Sequence, residues 1–194
     1  MADILNEPQE NYQNKLEYLK KIGEILDQLN GIRKYSELKD LYINDVHESN
    51  FLISKNDSIK VIDLDSCKIK NNQSSPARFL RPNTLFATAK EKYHINPLET
   101  NYKFVTPSNN TELYCYNMMI LNYLYGQNVN SMKVTDYYNY LSYLHYLKID
   151  PNLLNSFQRL LINCENTNPY PYLENLTQEQ IYRSNYKVYK YNKK

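Results

Sequence analysis

The sequence predicts a mostly α protein of the α+β kind, with one small β-hairpin near its front. Apolar side chains recur at helical spacing over residues 12–30, and residues 112–124 are apolar nearly all round. Between them two β-prone runs, NFLIS and IKVIDLD, flank the polar turn KNDS. At 194 residues with 42% hydrophobic side chains, the chain is long enough to bury a self-supporting core, and one domain over 1–194 is expected. It carries 21 Tyr and no Trp, so Tyr rings are expected at core positions with their hydroxyls reaching the rim.

In YQNKLEYLKKIGEILDQLN, Leu16, Leu19, Ile22, Ile25, Leu26 and Leu29 fall on one helical face with charges opposite, and Gly31 is expected to end the helix. The hairpin comes next, and a hairpin returns its second strand to the place where the first began. CKIKNNQSSPARFLRPN is polar and proline-punctuated, which predicts a loop ordered by its contacts. ELYCYNMMILNYL reads as a buried helix ended by Gly126. Further helices are expected in VTDYYNYLSYLHYLK, stopped by Pro151, then in LLNSFQRLLINC and in TQEQIYRSNYKVYKY, so that 166–194 forms a helical or frayed extension.

The net charge of +2, from 23 basic and 21 acidic groups, is too balanced to draw nucleic acid or an anionic membrane, and neither is expected as a partner. Only the tail YRSNYKVYKYNKK is basic. Its Tyr186, Tyr189 and Tyr191 alternate with lysines as in single-strand grooves, but a solvated terminus accounts for the pattern. Cys67, Cys115 and Cys164 are far apart and odd in number, which argues against a disulfide framework and for a reducing, cytoplasmic compartment. The N-terminus lacks a basic start with an apolar run, and no stretch reaches the roughly 18 apolar residues of a membrane span.

The chemistry concentrates in LYINDVHESNFLISKNDSIKVIDLDSC, residues 41–67. Carboxylates placed before the first strand and after the second converge across a hairpin, so Asp45, Asn50 and Asp63 are expected to face one cleft. Two carboxylates and an amide oxygen are hard ligands suited to Mg²⁺, with room left for substrate phosphates. Each residue alone reads as well as a turn cap or a strand end.

In their order, D-V-H-E-S-N-F-L-I and V-I-D-L-D resemble the catalytic loop and metal-binding motif of the protein kinase-like superfamily, H-R-D-x-x-x-x-N followed by D-F-G. The D-x-H-x-x-N form, with His47 inside the loop, is most similar to the bacterial, phage and aminoglycoside-phosphotransferase branches. The likeness covers about residues 12–165: the first helix lies where the loop-supporting kinase helix lies, and Arg81, Pro82 and Asn83 stand for A-P-E. TELYCYNMMILNYLYG resembles the buried central helix of the C-terminal lobe, with Glu112 replacing the usual Asp. The resemblance implies that Asp45 receives or orients the proton of the attacking hydroxyl, while Asn50 and Asp63 hold Mg²⁺ across the phosphates of ATP. It also implies a second carboxylate at Asp65 and a loop-positioning His47. The phosphoacceptor is a protein hydroxyl, Ser or Thr by default.

The departures shape the expectation further. Ile43-Asn44 replace H-R, so control through a phosphorylated activation segment is not expected. The three glycines, Gly23, Gly31 and Gly126, provide no G-x-G-x-x-G, no V-A-I-K strand is present, and only 44 residues precede Asp45. Helix lysines such as Lys20 and Lys21 are poor substitutes for the phosphate-binding Lys. The chain therefore reads as a C-terminal lobe whose N-terminal lobe lies on a partner chain, in a longer precursor or nowhere, or as a catalytically inactive binding or scaffold module of phage or mobile-element type. VIDLDSC also resembles the D-x-D opening of haloacid-dehalogenase-type phosphatases, with Asp63 as nucleophile and Asp65 as acid, but the alternating strands of a doubly wound sheet are not predicted. A glycosyltransferase D-x-D site lacks its preceding nucleotide-binding half.

Overall fold

The structure, a computed structural model, describes residues 12–35, 37–43, 45–64, 67–69, 108–125, 134–162, 167–181 and 183–184. Asp65, the SSPARFLRPN segment with Arg81, Pro82 and Asn83, Gly126, Cys164, and Tyr186, Tyr189 and Tyr191 lie outside the described residues. The elements run α1 (Tyr12–Tyr35), β1 (Leu41–Ile43), β2 (Phe51–Ile53), β3 (Ile59–Val61), β4 (Cys67–Ile69), α2 (Asn109–Tyr125), α3 (Val134–Tyr146) and α4 (Pro151–Ile162), with 3-10 turns at Glu48–Asn50 and Tyr170–Asn175. The protein is mostly helical, and its strands form two small two-stranded antiparallel sheets.

Helix α2 is the axis of the core. From Thr111 to Leu121 every residue is buried, because α1, α4 and β1 all pack against it. Its first turn is closed by Ser108, whose Oγ accepts the Thr111 N–H while the Thr111 hydroxyl oxygen accepts the Ser108 N–H. Helix α1 contributes Leu16, Leu19, Ile22 and Leu26 to the same core, the spacing that predicted it. The Tyr rings do fill core positions, but the hydroxyls of Tyr116 and Tyr137 do not reach the rim. Tyr116 donates to the Leu19 carbonyl at 2.5 Å and Tyr137 to the Phe157 carbonyl, which satisfies a donor that burial cuts off from water.

Two punctuation residues act differently from expectation. Gly31 does not stop α1, which runs on to Tyr35; its backbone keeps a negative φ, so it forms no left-handed cap. Pro151 does not end α3 but opens α4 at a position where a missing N–H costs nothing. The Asp150 carboxylate accepts the Asn152 N–H at 2.8 Å, and the turn out of α3 is made by Lys148 at φ 56. Beyond α4, Leu173, Leu176 and Ile181 are buried in the common core, so residues 170–181 pack rather than fray. No helix among the described residues is long and apolar enough to cross a membrane.

Gly23 permits one close approach. A Cβ there would overlap Tyr170 Cβ and stand 2.6 Å from the Tyr116 hydroxyl, while Asn168 Nδ2 already donates to the Gly23 carbonyl at 2.8 Å. Helix propensity alone favours Ala over Gly by about 1 kcal/mol. Overpacking reverses the sign here, and Gly23→Ala is expected to destabilise by about 1–3 kcal/mol in urea denaturation. A stabilised variant would mean that Tyr170–Asn175 does not seat on α1.

Candidate functional site

The two sheets are nested. Ile43 of β1 faces Cys67 of β4, and Phe51 of β2 faces Val61 of β3. The chain thus leaves β1 opposite its arrival at β4, and enters β2 opposite its departure from β3. The connections carrying residues 45–50 and 62–64 therefore start and finish at the same paired positions, and they run side by side. The Ile62 N–H donates to the Asn50 carbonyl at 2.9 Å and ties one connection to the other.

Within the first connection, Val46 is fully buried and pins the loop to the core, and Glu48–Asn50 form a 3-10 turn closed by the Asn50 N–H on the His47 carbonyl at 3.0 Å. Asn50 is only 5% exposed, and its Nδ2 donates to the Asp45 carbonyl at 2.9 Å. A carbonyl only accepts, so the amide nitrogen must face Asp45 and Oδ1 is left as the acceptor end. His47 accepts the Ser49 N–H on Nδ1 at 3.2 Å, and its Nε2 stands 3.2 Å from Asp45 Oδ2. In the second connection Asp63 follows Ile62, exposed and at φ 55, a left-handed conformation that Asp and Asn tolerate.

The loop is anchored from beneath by an ion pair. Arg33, in the last turn of α1, forks its Nη1 and Nη2 onto Glu112 at 2.7 and 2.6 Å, and its Nε donates to the Leu41 carbonyl at 2.6 Å. Glu112 also accepts the Ile43 N–H at 2.6 Å, two residues before Asp45. The guanidinium lies 4.4 Å over the Tyr42 ring. Glu112 is fully buried and Arg33 is 7% exposed, so α1, β1 and α2 are joined by a bidentate contact away from water.

Asp45 and Asn50 are thus brought into one turn, and Asp63 into the adjoining connection. Among the described residues no group of three or more His, Cys, Asp or Glu is arranged to hold a metal unaided. Cys115 is buried, and burial, with Asp45 and Glu112 adding to it, pushes its thiol well above the ordinary value, which disfavours the thiolate. Lys20 pairs with Glu174, and Lys21 with Glu17 at 2.9 Å. Strand β3, which ends on Val61 at the start of VIDLD, pairs antiparallel with β2 and not in the parallel sheet of a doubly wound fold. Arg33 escaped sequence reasoning, though a signal existed: it continues the apolar stripe of Leu26 and Leu29, where an exposed cation does not belong.

No protein-family model matches the chain, and no curated protein or solved structure matches it either.

Proposed function

We propose that the chain is a protein kinase-like C-terminal lobe that takes part in Mg·ATP-dependent phosphoryl transfer to a protein hydroxyl, serine or threonine by default. The observation that carries this reading is the nested strand pair, which lays the connection of Asp45 and Asn50 beside that of Asp63. Phosphoryl transfer asks little covalent chemistry of the protein and much positioning and charge stabilisation, which two tied loops can supply. Asp45 accepts or orients the proton of the acceptor hydroxyl. Asn50 Oδ1 and the Asp63 carboxylate are hard oxygens that fit Mg²⁺, which would offset the charge of the phosphates, with the remaining ligands coming from substrate and water. Glu112 and Arg33 fix the strand from which the loop departs.

A second reading, a binding module without catalysis, is favoured by the want of a G-x-G-x-x-G in a chain with three glycines and by the engagement of Lys20 and Lys21 in surface pairs. A partner chain that grips the nucleotide reconciles the loops with that want. Titration calorimetry with ATP, with and without Mg²⁺, separates the readings. Mg²⁺-dependent binding is the expected result; no heat from the isolated chain in either condition sinks intrinsic phosphotransfer and leaves the binding module.

A further inference from the structure

We propose that His47 is a positioning residue that holds the Asp45 carboxylate through one imidazole tautomer. This rests on the phosphotransfer reading, which makes Asp45 the group that meets the acceptor hydroxyl. The Ser49 N–H can only donate, so Nδ1, 3.2 Å away, must present its lone pair. The ring proton of the neutral imidazole then sits on Nε2, which faces Asp45 Oδ2 at 3.2 Å. The two side chains are 13% and 27% exposed, so the contact is partly sheltered from competing water. Asp45 is held at both ends by residues of its own turn: Asn50 Nδ2 binds its carbonyl at 2.9 Å and His47 binds its carboxylate.

The choice of side chain has a chemical consequence. A Lys or Arg in this place would bind the carboxylate as a fixed ion pair and weaken it as a proton acceptor, whereas a neutral N–H donor orients it with less loss of basicity. A merely structural His47 would need only Nδ1, which caps the 3-10 turn.

The two roles separate by substitution. His47→Asn keeps a cap for the Ser49 N–H but is too short to reach Asp45; His47→Gln keeps a donor at the distance of Nε2 and loses the cap. In ¹H–¹⁵N correlation spectra of the full chain, His47 is expected to carry its proton on Nε2, slowed in exchange with water, and Asp45→Ala is expected to abolish the slowing while leaving Nδ1 bare. A proton on Nδ1, or an Nε2 proton indifferent to Asp45→Ala, overturns the proposal. In phosphoryl transfer, His47→Gln should retain most of the rate and His47→Asn lose on the order of tenfold to a hundredfold, the scale of a misplaced reacting group. The reverse order reduces His47 to a turn cap. An Asp45-dependent imidazole proton in a chain that binds no ATP sustains the His47–Asp45 contact and sinks the phosphotransfer reading alone.

Discussion

Replacing Arg33 with Met is expected to lower the stability of the folded chain by about 3–5 kcal/mol at neutral pH, the scale of a buried pair that loses one partner. Met keeps much of the apolar stem, so the loss is not chiefly one of packing. It comes from Glu112, which is fully buried and would remain as a carboxylate that keeps the Ile43 N–H but loses the guanidinium fork. The double variant Arg33→Met/Glu112→Gln removes both charges and preserves an oxygen for the Ile43 N–H. It is expected to recover most of the loss in urea denaturation, because a buried pair replaced as a unit is often near neutral. A single variant that loses less than about 1 kcal/mol, within the range of an exposed pair, would show that the contact is solvated.

The pH dependence gives this result a sign. Burial is the largest influence on Glu112 and pushes its carboxyl above the ordinary range, while the hydrogen bond and charge of Arg33 and the Ile43 N–H pull it back. The native state then holds this proton to higher pH than the unfolded chain does. The contribution is fully present below the unfolded value and is lost as pH rises through the folded one. Removing Arg33 deletes two of the influences that pull the carboxyl down, so the window widens upward. The gap between Arg33→Met and the unchanged chain should therefore shrink in mildly acidic buffer. A gap that stays constant would mean that Glu112 does not titrate with the change.

What could be read from the sequence was local. Leu16, Leu19, Ile22 and Leu26 announce α1 by spacing alone, and the run after Glu112, apolar nearly all round, announces the buried axis of α2. The β2–β3 hairpin is visible because its turn and both strands lie within a few residues of one another. Strands β1 and β4 were not visible: each has three residues, too few to show a period, and each exists because the other supplies hydrogen bonds from 24 or more residues away. Gly31 and Pro151 misled for one reason. Their meaning depends on φ and on helix position, which the residue type alone does not fix. At the site, the Asp45–Asn50 contact follows from a turn and could be read from its spacing. The Arg33–Glu112 contact spans 79 positions of sequence and becomes apparent only once α1 and α2 are packed.

If the chain binds ATP as proposed, Asp63→Asn is expected to remove the dependence of that binding on Mg²⁺. The substitution suits the question because of where Asp63 stands. Its φ of 55 is left-handed, and Asn accepts that conformation as readily as Asp, so the backbone has no cause to move. Asp63→Ala would instead add strain and confound charge with conformation. Asp63 is exposed, so the loss of its charge should leave folding nearly unchanged by urea denaturation. A neutral amide can still offer an oxygen but not a formal charge, and a hard divalent ion weighs charge heavily. The Mg²⁺-linked gain in affinity should fall by roughly ten- to a hundredfold, the size of one charge-assisted contact. The carboxamide of Asn50 should then be unable to hold the ion alone, since its nitrogen is committed to the Asp45 carbonyl and only Oδ1 remains. An Asp63→Asn chain whose ATP binding keeps its full response to Mg²⁺ would remove Asp63 from the metal role, and with it the functional meaning of laying these two loops side by side.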